Sequence, residues 1–296
     1  MNMKIGYFAD GPWSHRALYK LLEDATLSVS FICARSDRPD QDLARIAAEN
    51  GIPFLTHPRV NSDEFVGQIE RYGCDIFVSM SFNQIFRQRL IDATKYKIIN
   101  CHAGKLPFYR GRNIINWALI NDEAEFGITV HYVDDGIDTG DIILQKTYPI
   151  TDADDYATLL ERAYSGCGQV LYDAIKKIQA GNVVRIKQSE IHPTGFYCSA
   201  RKEGDENLDW SMTSREVFNF VRAICRPGPE ARGVVATKEV RINRVCLVDS
   251  APSYKGIAGA IIKVDSDSFV VKTADSFVRV TDWTTELKLK VGDRFE

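Results

Sequence analysis

Residues 4–34 read KIGYFADGPWSHRALYKLLEDATLSVSFICA. The apolar run Lys4 to Ala9 predicts a strand, the amphipathic stretch Trp13 to Asp24 predicts a helix, and the apolar run Ser28 to Ala34 predicts a second strand. A strand, a helix and a strand in this order form a unit whose two strands run parallel. This stretch therefore predicts an α/β fold.

The alternation of apolar and amphipathic stretches continues beyond this unit. Helical spacing recurs in Gln41 to Asn50 and in Asp63 to Tyr72. Apolar runs recur in Asp75 to Ser79 and in Lys97 to Cys101, and Asp155 to Ala180 predicts a long helix. We therefore expect a Rossmann-like, mostly parallel sheet with helices on both faces.

The pattern changes after about residue 190. The stretch Asn207 to Cys225 predicts a turn and one helix, and short alternating strands such as Phe269 to Lys272 and Phe277 to Val280 follow. This is typical of a small all-β module such as an OB-like barrel, which would support either an acceptor pocket or a homodimer contact. The expected domains are a Rossmann-like catalytic domain over 1–190, a linker over 191–206 and a C-terminal OB-like domain over 207–296.

Composition narrows the kinds of partner. The chain carries 37 Lys and Arg against 40 Asp and Glu, a formal net charge of −3. Nucleic-acid and membrane binding normally need a basic field, so we expect neither partner and favour a small substrate. No apolar stretch approaches the roughly 18 to 20 residues that cross a bilayer, and no secretory signal begins the chain, so a cytoplasmic location is expected. The seven scattered cysteines lack metal-ligand spacing and are interpreted as reduced core thiols.

The loop after the first strand holds the first candidate ligand contacts. Its sequence, Asp10-Gly11-Pro12-Trp13, has one glycine where a dinucleotide-binding fingerprint needs three, which disfavours a nicotinamide or flavin cofactor. A turn between strand and helix at this edge of a parallel sheet is still a common ligand site. Gly11 and Trp13 are therefore candidate substrate contacts, and a simple tight turn is the alternative.

An acidic run follows later, with Asp134, Asp135, Asp138 and Asp141. The spacing does not fit a calcium loop, so no metal is expected. A solvated turn is one interpretation, because Gly136 and Gly140 permit a positive φ. The interpretation that we favour is a backbone-rich loop that hydrogen-bonds a flat heterocycle and directs one Asp at the chemistry.

Asn100 and His102 stand at the end of an apolar strand. Side chains two residues apart on a strand point to the same side, so both would project at the carboxyl edge of the sheet, where ligands bind. An amide donor beside an imidazole suits acyl transfer, because both can stabilise a developing oxyanion. A structural histidine is the alternative for this short motif taken alone.

Several motifs taken together resemble the folate-dependent formyltransferase family. They are NCHAGKLP at 100–107, YRGR at 109–112, NW at 116–117, DDGIDTGD at 134–141, LDW at 208–210, VRA at 221–223 and PGP at 227–229. The resemblance implies that Asn100, His102 and Asp138 are catalytic and that 10-formyltetrahydrofolate is the formyl donor. It also implies the cofactor-binding residues Phe82, Asn83, Gln84, Ile85, Phe86, Asp134, Asp135, Gly136 and Ile137.

The acceptor is inferred from charge and from the finer resemblance. The region after the second strand, residues 35–42, has two Arg against three Asp, and residues 201–296 have 16 basic against 15 acidic side chains. This is a poor platform for tRNA. The motifs at 109–117 look most like those of the enzymes that formylate UDP-4-amino-4-deoxy-L-arabinose and related sugar nucleotides. We therefore expect formylation of a UDP- or dTDP-linked amino-deoxysugar for surface glycan biosynthesis, with methionyl-tRNA formyltransferase as the alternative.

Other residues are candidates for holding that substrate. Lys105, Arg110 and Arg112 would contact a pyrophosphate, since guanidinium groups match phosphate oxygens, although the two arginines could instead only pin their loop. Tyr109 would flank the sugar or base. Two further hypotheses remain open, a catalytically idle folate-binding module and a formyl-folate hydrolase.

Overall fold

The N-terminal part of the chain folds as strands alternating with helices in the computed structural model, which describes residues 2–296. The strands are β1 (Met3–Ala9), β2 (Leu27–Ala34), β3 (Phe54–Thr56), β4 (Ile76–Met80), β5 (Ile98–His102), β6 (Arg110–Gly111), β7 (Glu125–Tyr132), β8 (Ile142–Pro149) and β9 (Tyr197–Cys198). The helices are α1 (Gly11–Leu22), α2 (Gln41–Glu49), α3 (Asp63–Glu70), α4 (Gln88–Ile91), α5 (Ile114–Ile120), α6 (Tyr156–Gln179) and α7 (Gln188–Ile191).

A seven-stranded sheet organises this part of the described chain, in the order β3-β2-β1-β4-β5-β7-β8. β1 runs parallel to β2 and β4, and β4 runs parallel to β5, whereas β5 and β7 are antiparallel. The prediction of a mostly parallel sheet in an α/β fold is confirmed. The sequence pattern missed β3, because its three residues are too few to show a period of two.

An aromatic cluster forms the centre of the first sheet face. Phe8 makes edge-to-face contacts with Phe31 and Phe77 at ring separations of 5.6 and 5.5 Å. Gly6 permits this packing, because a Cβ there would lie 2.5 Å from the Phe31 ring and 2.6 Å from the Phe77 ring. Phe82, Phe86 and Val133 extend the same cluster towards the carboxyl edge of the sheet.

The C-terminal part of the chain is a helix followed by an antiparallel sheet. Its elements are α8 (Ser214–Ile224), β10 (Ala231–Val235), β11 (Lys238–Leu247), β12 (Ile261–Val264), β13 (Phe269–Lys272) and β14 (Phe277–Thr284). The sheet order is β10-β11-β14-β13-β12. Bridges from Phe295 to Val235 and from Arg294 to Ala260 bring the end of the chain against both outer strands. The prediction of a small all-β module is therefore confirmed as an antiparallel half-barrel.

Two compact units divide the chain. One consists of Met1–Gly111, Phe126–Tyr148 and Glu161–Cys198, and the other of Arg112–Glu125, Pro149–Leu160 and Ser199–Glu296. In the second unit α5 packs against α8, and Asn116 Nδ2 donates to the carbonyl of Ala223 at 2.6 Å. The domain boundaries expected from the sequence stay a prediction.

Two further expectations concern the state of the cysteines and the presence of membrane-spanning helices. All seven cysteines are free, and Cys33, Cys101, Cys167 and Cys225 are buried. Cys246 is exposed, so the interpretation as core thiols is wrong for this residue, whose side chain faces out from an antiparallel strand. Among residues 2–296, no helix has the length and apolar character of a membrane span.

Candidate active site

The site begins at the end of β5, where Asn100 and His102 stand two residues apart. The antiparallel pairing of β5 with β7 places His131 opposite Asn100 and Thr129 opposite His102. Because side chains alternate along a strand, Asn100 and His102 share one side of the sheet. The register therefore adds His131 to the pair that the sequence motif identified.

His102 is buried, with 9% of its surface exposed, and both ring nitrogens have partners. Nε2 lies 2.7 Å from the carbonyl oxygen of Tyr109, so Nε2 carries the proton, since a carbonyl can only accept. Nδ1 lies 3.5 Å from Oδ2 of Asp138. Gly104 permits this arrangement, because a Cβ there would lie 2.4 Å from both His102 Nε2 and the Tyr109 carbonyl oxygen.

Asp138 is the group on which the site converges. Its Oδ2 accepts a hydrogen bond from the backbone N–H of Gly111 at 3.0 Å, and its Oδ1 lies 3.4 Å from Asn100 Nδ2 and 3.5 Å from His131 Nε2. Burial opposes ionisation, but the charge of His102 and the Gly111 N–H together hold the pKa of Asp138 well below its usual value. Asp138 is therefore a carboxylate at neutral pH.

His131 fixes the orientation of Asn100. His131 Nδ1 lies 2.8 Å from the carbonyl of Tyr132, so Nδ1 donates and Nε2 is free to accept. Asn100 Nδ2 lies 3.2 Å from that Nε2. Because an unprotonated ring nitrogen only accepts, the amide atom of Asn100 that faces it is the nitrogen and not the oxygen. The sequence analysis did not propose His131 for the site, because its proximity depends on the register of β7 beside β5.

Gln188 is a second residue of this region that the sequence analysis missed. Its Nε2 donates to the carbonyls of Asp138 at 2.8 Å and Gly140 at 2.9 Å. Its Oε1 accepts from Arg110 Nε at 3.0 Å and from Arg110 Nη2 at 2.7 Å. Arg110 also contacts the carbonyl of Thr194 and is buried. These bonds favour the alternative in which Arg110 pins its loop.

The segments expected to hold folate lie on the same apolar cluster. Phe86 belongs to that cluster, and Phe82 and Val133 pack against it, so residues 82–86 and the start of the acidic loop are neighbours. Asp134 Oδ1 closes the loop by accepting from the N–H of Gly136 and the hydroxyl of Thr139. Residues 134–137 are exposed.

Within segment 82–86 the side chains divide between interior and surface. Gln84 donates to the carbonyl of His57 and accepts from the N–H of Val60, so its side chain holds the segment in place. Ile85 is about half exposed, as is Ile137 of the acidic loop. Asn83 is exposed and lies 3.4 Å from Asp37.

The remaining substrate candidates lie in different surroundings. Gly11 donates its backbone N–H to Asp40, and the Trp13 ring contacts the Tyr164 ring edge-on at 4.7 Å. Tyr109 is buried against Phe196. Lys105 is half-buried, and its backbone passes within 2.7 Å of a Cβ placed on Gly127. Arg112 is exposed at the start of the second compact unit.

One cluster of potential metal ligands occurs among residues 2–296, formed by His15, Asp40 and Asp42. Asp40 is already engaged there, since it accepts from Leu43 at the start of α2, from Gly11 and from His15 Nε2. The cluster is therefore satisfied by protein groups.

Comparison with known protein families identifies the fold and the chemistry. The formyl transferase domain matches residues 3–175, and the formyl transferase C-terminal domain matches residues 201–292. The chain belongs to the formyl transferase family. In this formyl transferase, the sheet end that carries Asn100, His102 and Asp138 lies within the N-terminal match.

Curated relatives correct the expected acceptor. The chain is 32% identical over 293 residues to a methionyl-tRNA formyltransferase of Geobacter sulfurreducens, which covers 96% of this chain and 90% of the relative. It is 27% identical over 301 residues to the enzyme of the same name from Ruminiclostridium cellulolyticum, covering 98% and 95%. These relatives contradict the expectation of a sugar-nucleotide acceptor, and they agree with the alternative. The expectation rested on charge counts and on the resemblance of the motifs at 109–117 to those of sugar-nucleotide formyltransferases.

Solved structures agree on the fold. An N-formyltransferase from Helicobacter canadensis, in complex with folinic acid and dTDP-3-aminofucose, has a TM-score of 0.70 at 21% identity and covers 96% of this chain and all of that one. WlaRD, a sugar 3N-formyl transferase, has a TM-score of 0.67 at 20% identity and covers 98% and 100%. At these identities the likeness concerns the fold.

Proposed function

We propose that this protein transfers the formyl group of 10-formyltetrahydrofolate to the amino group of methionyl-tRNA. The observation that carries the proposal is the convergence of Asn100, His102 and ionised Asp138 at the end of β5, in a chain whose curated relatives are methionyl-tRNA formyltransferases. The similarity to those relatives extends over nearly the whole chain, so it includes both family domains.

The folate would be held between segment 82–86 and residues 134–137. Ile85 and Ile137 offer exposed apolar surface on the two segments, and a flat ring needs apolar faces with polar groups at its edge. The closed turn at Asp134 keeps the intervening main chain in a defined shape. When bound, the folate supplies the formyl group.

Three side chains would then act on the reacting atoms. Asn100 Nδ2 would exchange its long contact of 3.4 Å with Asp138 for a hydrogen bond to the formyl oxygen as that oxygen gains negative charge. His102, held by the Tyr109 carbonyl and facing Asp138, would stabilise this charge as an imidazolium. Asp138 would accept the proton that the attacking amine loses, directly or through water, and the folate nitrogen takes up a proton as its bond to the formyl carbon breaks.

The stretch of residues 185–197, in which Phe196 contacts Tyr109, supports a nucleic-acid acceptor. Phe196 and Tyr197 are 40% and 55% exposed, although Phe196 contacts Tyr109 at 4.8 Å. Exposed aromatic rings stack the bases of single-stranded RNA ends, and nearby basic groups contact phosphates. Arg185 and Lys187 are exposed in the same stretch. The regional charge counts behind the earlier expectation covered residues 35–42 and 201–296, and the net charge of the whole chain does not show where basic groups lie.

A formylation assay with several acceptors tests the proposal. The protein is incubated with 10-formyltetrahydrofolate and methionyl initiator tRNA, glycinamide ribonucleotide or a UDP-linked 4-amino-4-deoxysugar, and formylated product and tetrahydrofolate are measured. We expect formylmethionyl-tRNA and no comparable product from the small acceptors. Formylation of a small acceptor in preference to the tRNA would overturn the proposed acceptor, and release of formate with every acceptor would indicate a hydrolase.

A further inference from the structure

The acidic loop that carries Asp138 has no regular secondary structure between β7 and β8. The backbone of Asp138 has a positive φ of 55°, a conformation that is uncommon for residues other than glycine. Such a backbone persists only where surrounding groups hold it. The position of the catalytic carboxylate therefore depends on contacts from outside the loop.

Gln188 makes those contacts from the first residue of α7. It is 3% exposed, and its two N–H groups bond the carbonyls of Asp138 and Gly140. The amide orientation is fixed by its neighbours, because the guanidinium of Arg110 only donates and the two carbonyls only accept. Every polar atom of the Gln188 side chain is thus engaged.

Arg110 connects this clamp to the other partners of the catalytic groups. It lies between Tyr109, whose carbonyl accepts from His102, and Gly111, whose N–H donates to Asp138. The pair Arg110 and Gln188 thereby joins the loop of 109–111 to the loop of 134–141. The separation between His102 Nδ1 and Asp138 Oδ2 is set where these two loops meet.

We propose that Gln188, anchored by Arg110, is a positioning residue that holds the Asp138 carboxylate opposite His102. The inference rests on the proposed formyl transfer and adds a residue to it. Gln188 reaches the site through the backbone of Asp138, so its loss acts on the rate of the chemical step and leaves substrate binding largely intact. A misplacement of about 1 Å can lower a catalysed rate by roughly 100-fold.

The Gln188→Glu variant separates the bonds to Arg110 from the bonds to the carbonyls of Asp138 and Gly140. The carboxylate keeps the acceptor for Arg110 and loses both donors to the loop carbonyls, at almost unchanged volume. We expect kcat for methionyl-tRNA to fall on the order of 10- to 100-fold, with KM for both substrates within about threefold of wild type. A wild-type kcat, or a change confined to KM, would overturn the inference.

Gln179→Glu is the matched control. Gln179 also accepts from a cation, Lys176, and donates to a carbonyl, that of Thr26, but it lies at the end of α6. This variant is expected to keep wild-type kcat. A similar loss in both variants would show that the effect of Gln188→Glu is general destabilisation.

The double variant Arg110→Met with Gln188→Leu distinguishes positioning from stability. It removes the guanidinium that Gln188→Leu alone would leave buried without its acceptor, so thermal stability should recover relative to Gln188→Leu alone. We expect kcat to stay low, because the carbonyls of Asp138 and Gly140 still lack their donors. Recovery of kcat together with stability would assign Gln188 a structural role only.

An NMR titration of the Asp138 carboxyl needs no acceptor substrate. It therefore tests the positioning role of Gln188 separately from the proposed tRNA acceptor. We expect the pKa of Asp138 to be higher in the double variant than in wild type, because a loosened carboxylate loses part of its contact with His102 and Gly111. An unchanged pKa would overturn the positioning role. Absence of tRNA formylation by the wild-type protein, together with a raised pKa in the variant, would overturn the proposed acceptor alone.

Discussion

Asn100 and His102 lie two residues apart, and in the proposed mechanism they act on the same developing charge by different means. Asn100 offers an amide N–H oriented by His131, whereas His102 offers a ring held by the Tyr109 carbonyl. His102 is buried, so a variant at this position also needs a measurement of stability. The contribution of each group can therefore be measured separately.

We expect Asn100→Ala and His102→Ala each to lower kcat by about 100- to 1000-fold, the usual cost of losing one donor to an oxyanion. Circular dichroism and thermal unfolding should show a preserved fold. Cys101→Ala, between the two, is the control, since Cys101 faces the carbonyl of Cys167 on the other side of the strand. Near-wild-type turnover in either site variant would contradict the assigned mechanism.

The lowered pKa of Asp138 leads to a prediction about how stability depends on pH. Its folded pKa lies below its unfolded value, so its contribution to stability is present above the unfolded pKa of about 4 and is lost as pH falls through the lower folded pKa. The stability difference between wild type and Asp138→Asn should therefore reach its full size above about pH 5 and shrink towards pH 2. Denaturant unfolding at several pH values measures it. A difference that grows on acidification would contradict the lowered pKa.

At the scale of elements, the segment between β5 and β6 decides how His102 is held. Thr129 donates its hydroxyl to the carbonyl of Gly104 at 2.7 Å, and Gln145 donates to Thr129 and to the carbonyl of Leu106. These bonds from β7 and β8 fix the turn that brings the Tyr109 carbonyl to His102. β7 and β8 therefore support the ring of His102 through the turn that follows β5.

Gly104→Ala tests this arrangement with one added carbon. The new Cβ would lie 2.4 Å from both His102 Nε2 and the Tyr109 oxygen, so their hydrogen bond must break or shift. We expect kcat to fall at least tenfold, as for a misplaced catalytic group, with the fold retained. Gly67→Ala on α3, where a Cβ meets no neighbour, is the control for steady-state kinetics. Equal activity of the two variants would show that the bond is dispensable.

At the scale of the molecule, a net charge of −3 is compatible with the proposed tRNA acceptor, because recognition of an RNA end needs only a local surface. We expect KM for methionyl-tRNA to rise with salt. Two phosphate contacts would give a change of roughly tenfold between 50 and 200 mM salt. Steady-state kinetics at several salt concentrations measure the slope, with KM for the folate donor as reference. A salt-independent KM for the tRNA would argue against phosphate contacts.

The contacts within the second compact unit lead to a prediction about removing the C-terminal residues. Its segment Arg112–Glu125 belongs with the C-terminal residues, and within it Asp122 pairs with Arg215 of α8 at 2.6 Å. A chain that ends at residue 200 would leave α5 without α8, exposing the apolar residues that pack there. We expect such a chain to aggregate or to unfold at lower temperature, as measured by gel filtration and calorimetry. A monomer with wild-type stability would show that the C-terminal residues are an independent appendage.

The sequence by itself determined the alternation of strands and helices, because burial on a sheet or a helix imposes a period that residues 4–34 display directly. It also predicted Asn100 and His102 from a local motif and Asp138 from the family resemblance, and the structure brings these three side chains together. His131 and Gln188 could not be found in this way, because strand register and the meeting of distant loops bring them to the site. Only the tertiary structure showed the Arg110 guanidinium held by Gln188, since a charged residue in a sequence does not reveal which buried acceptors surround it.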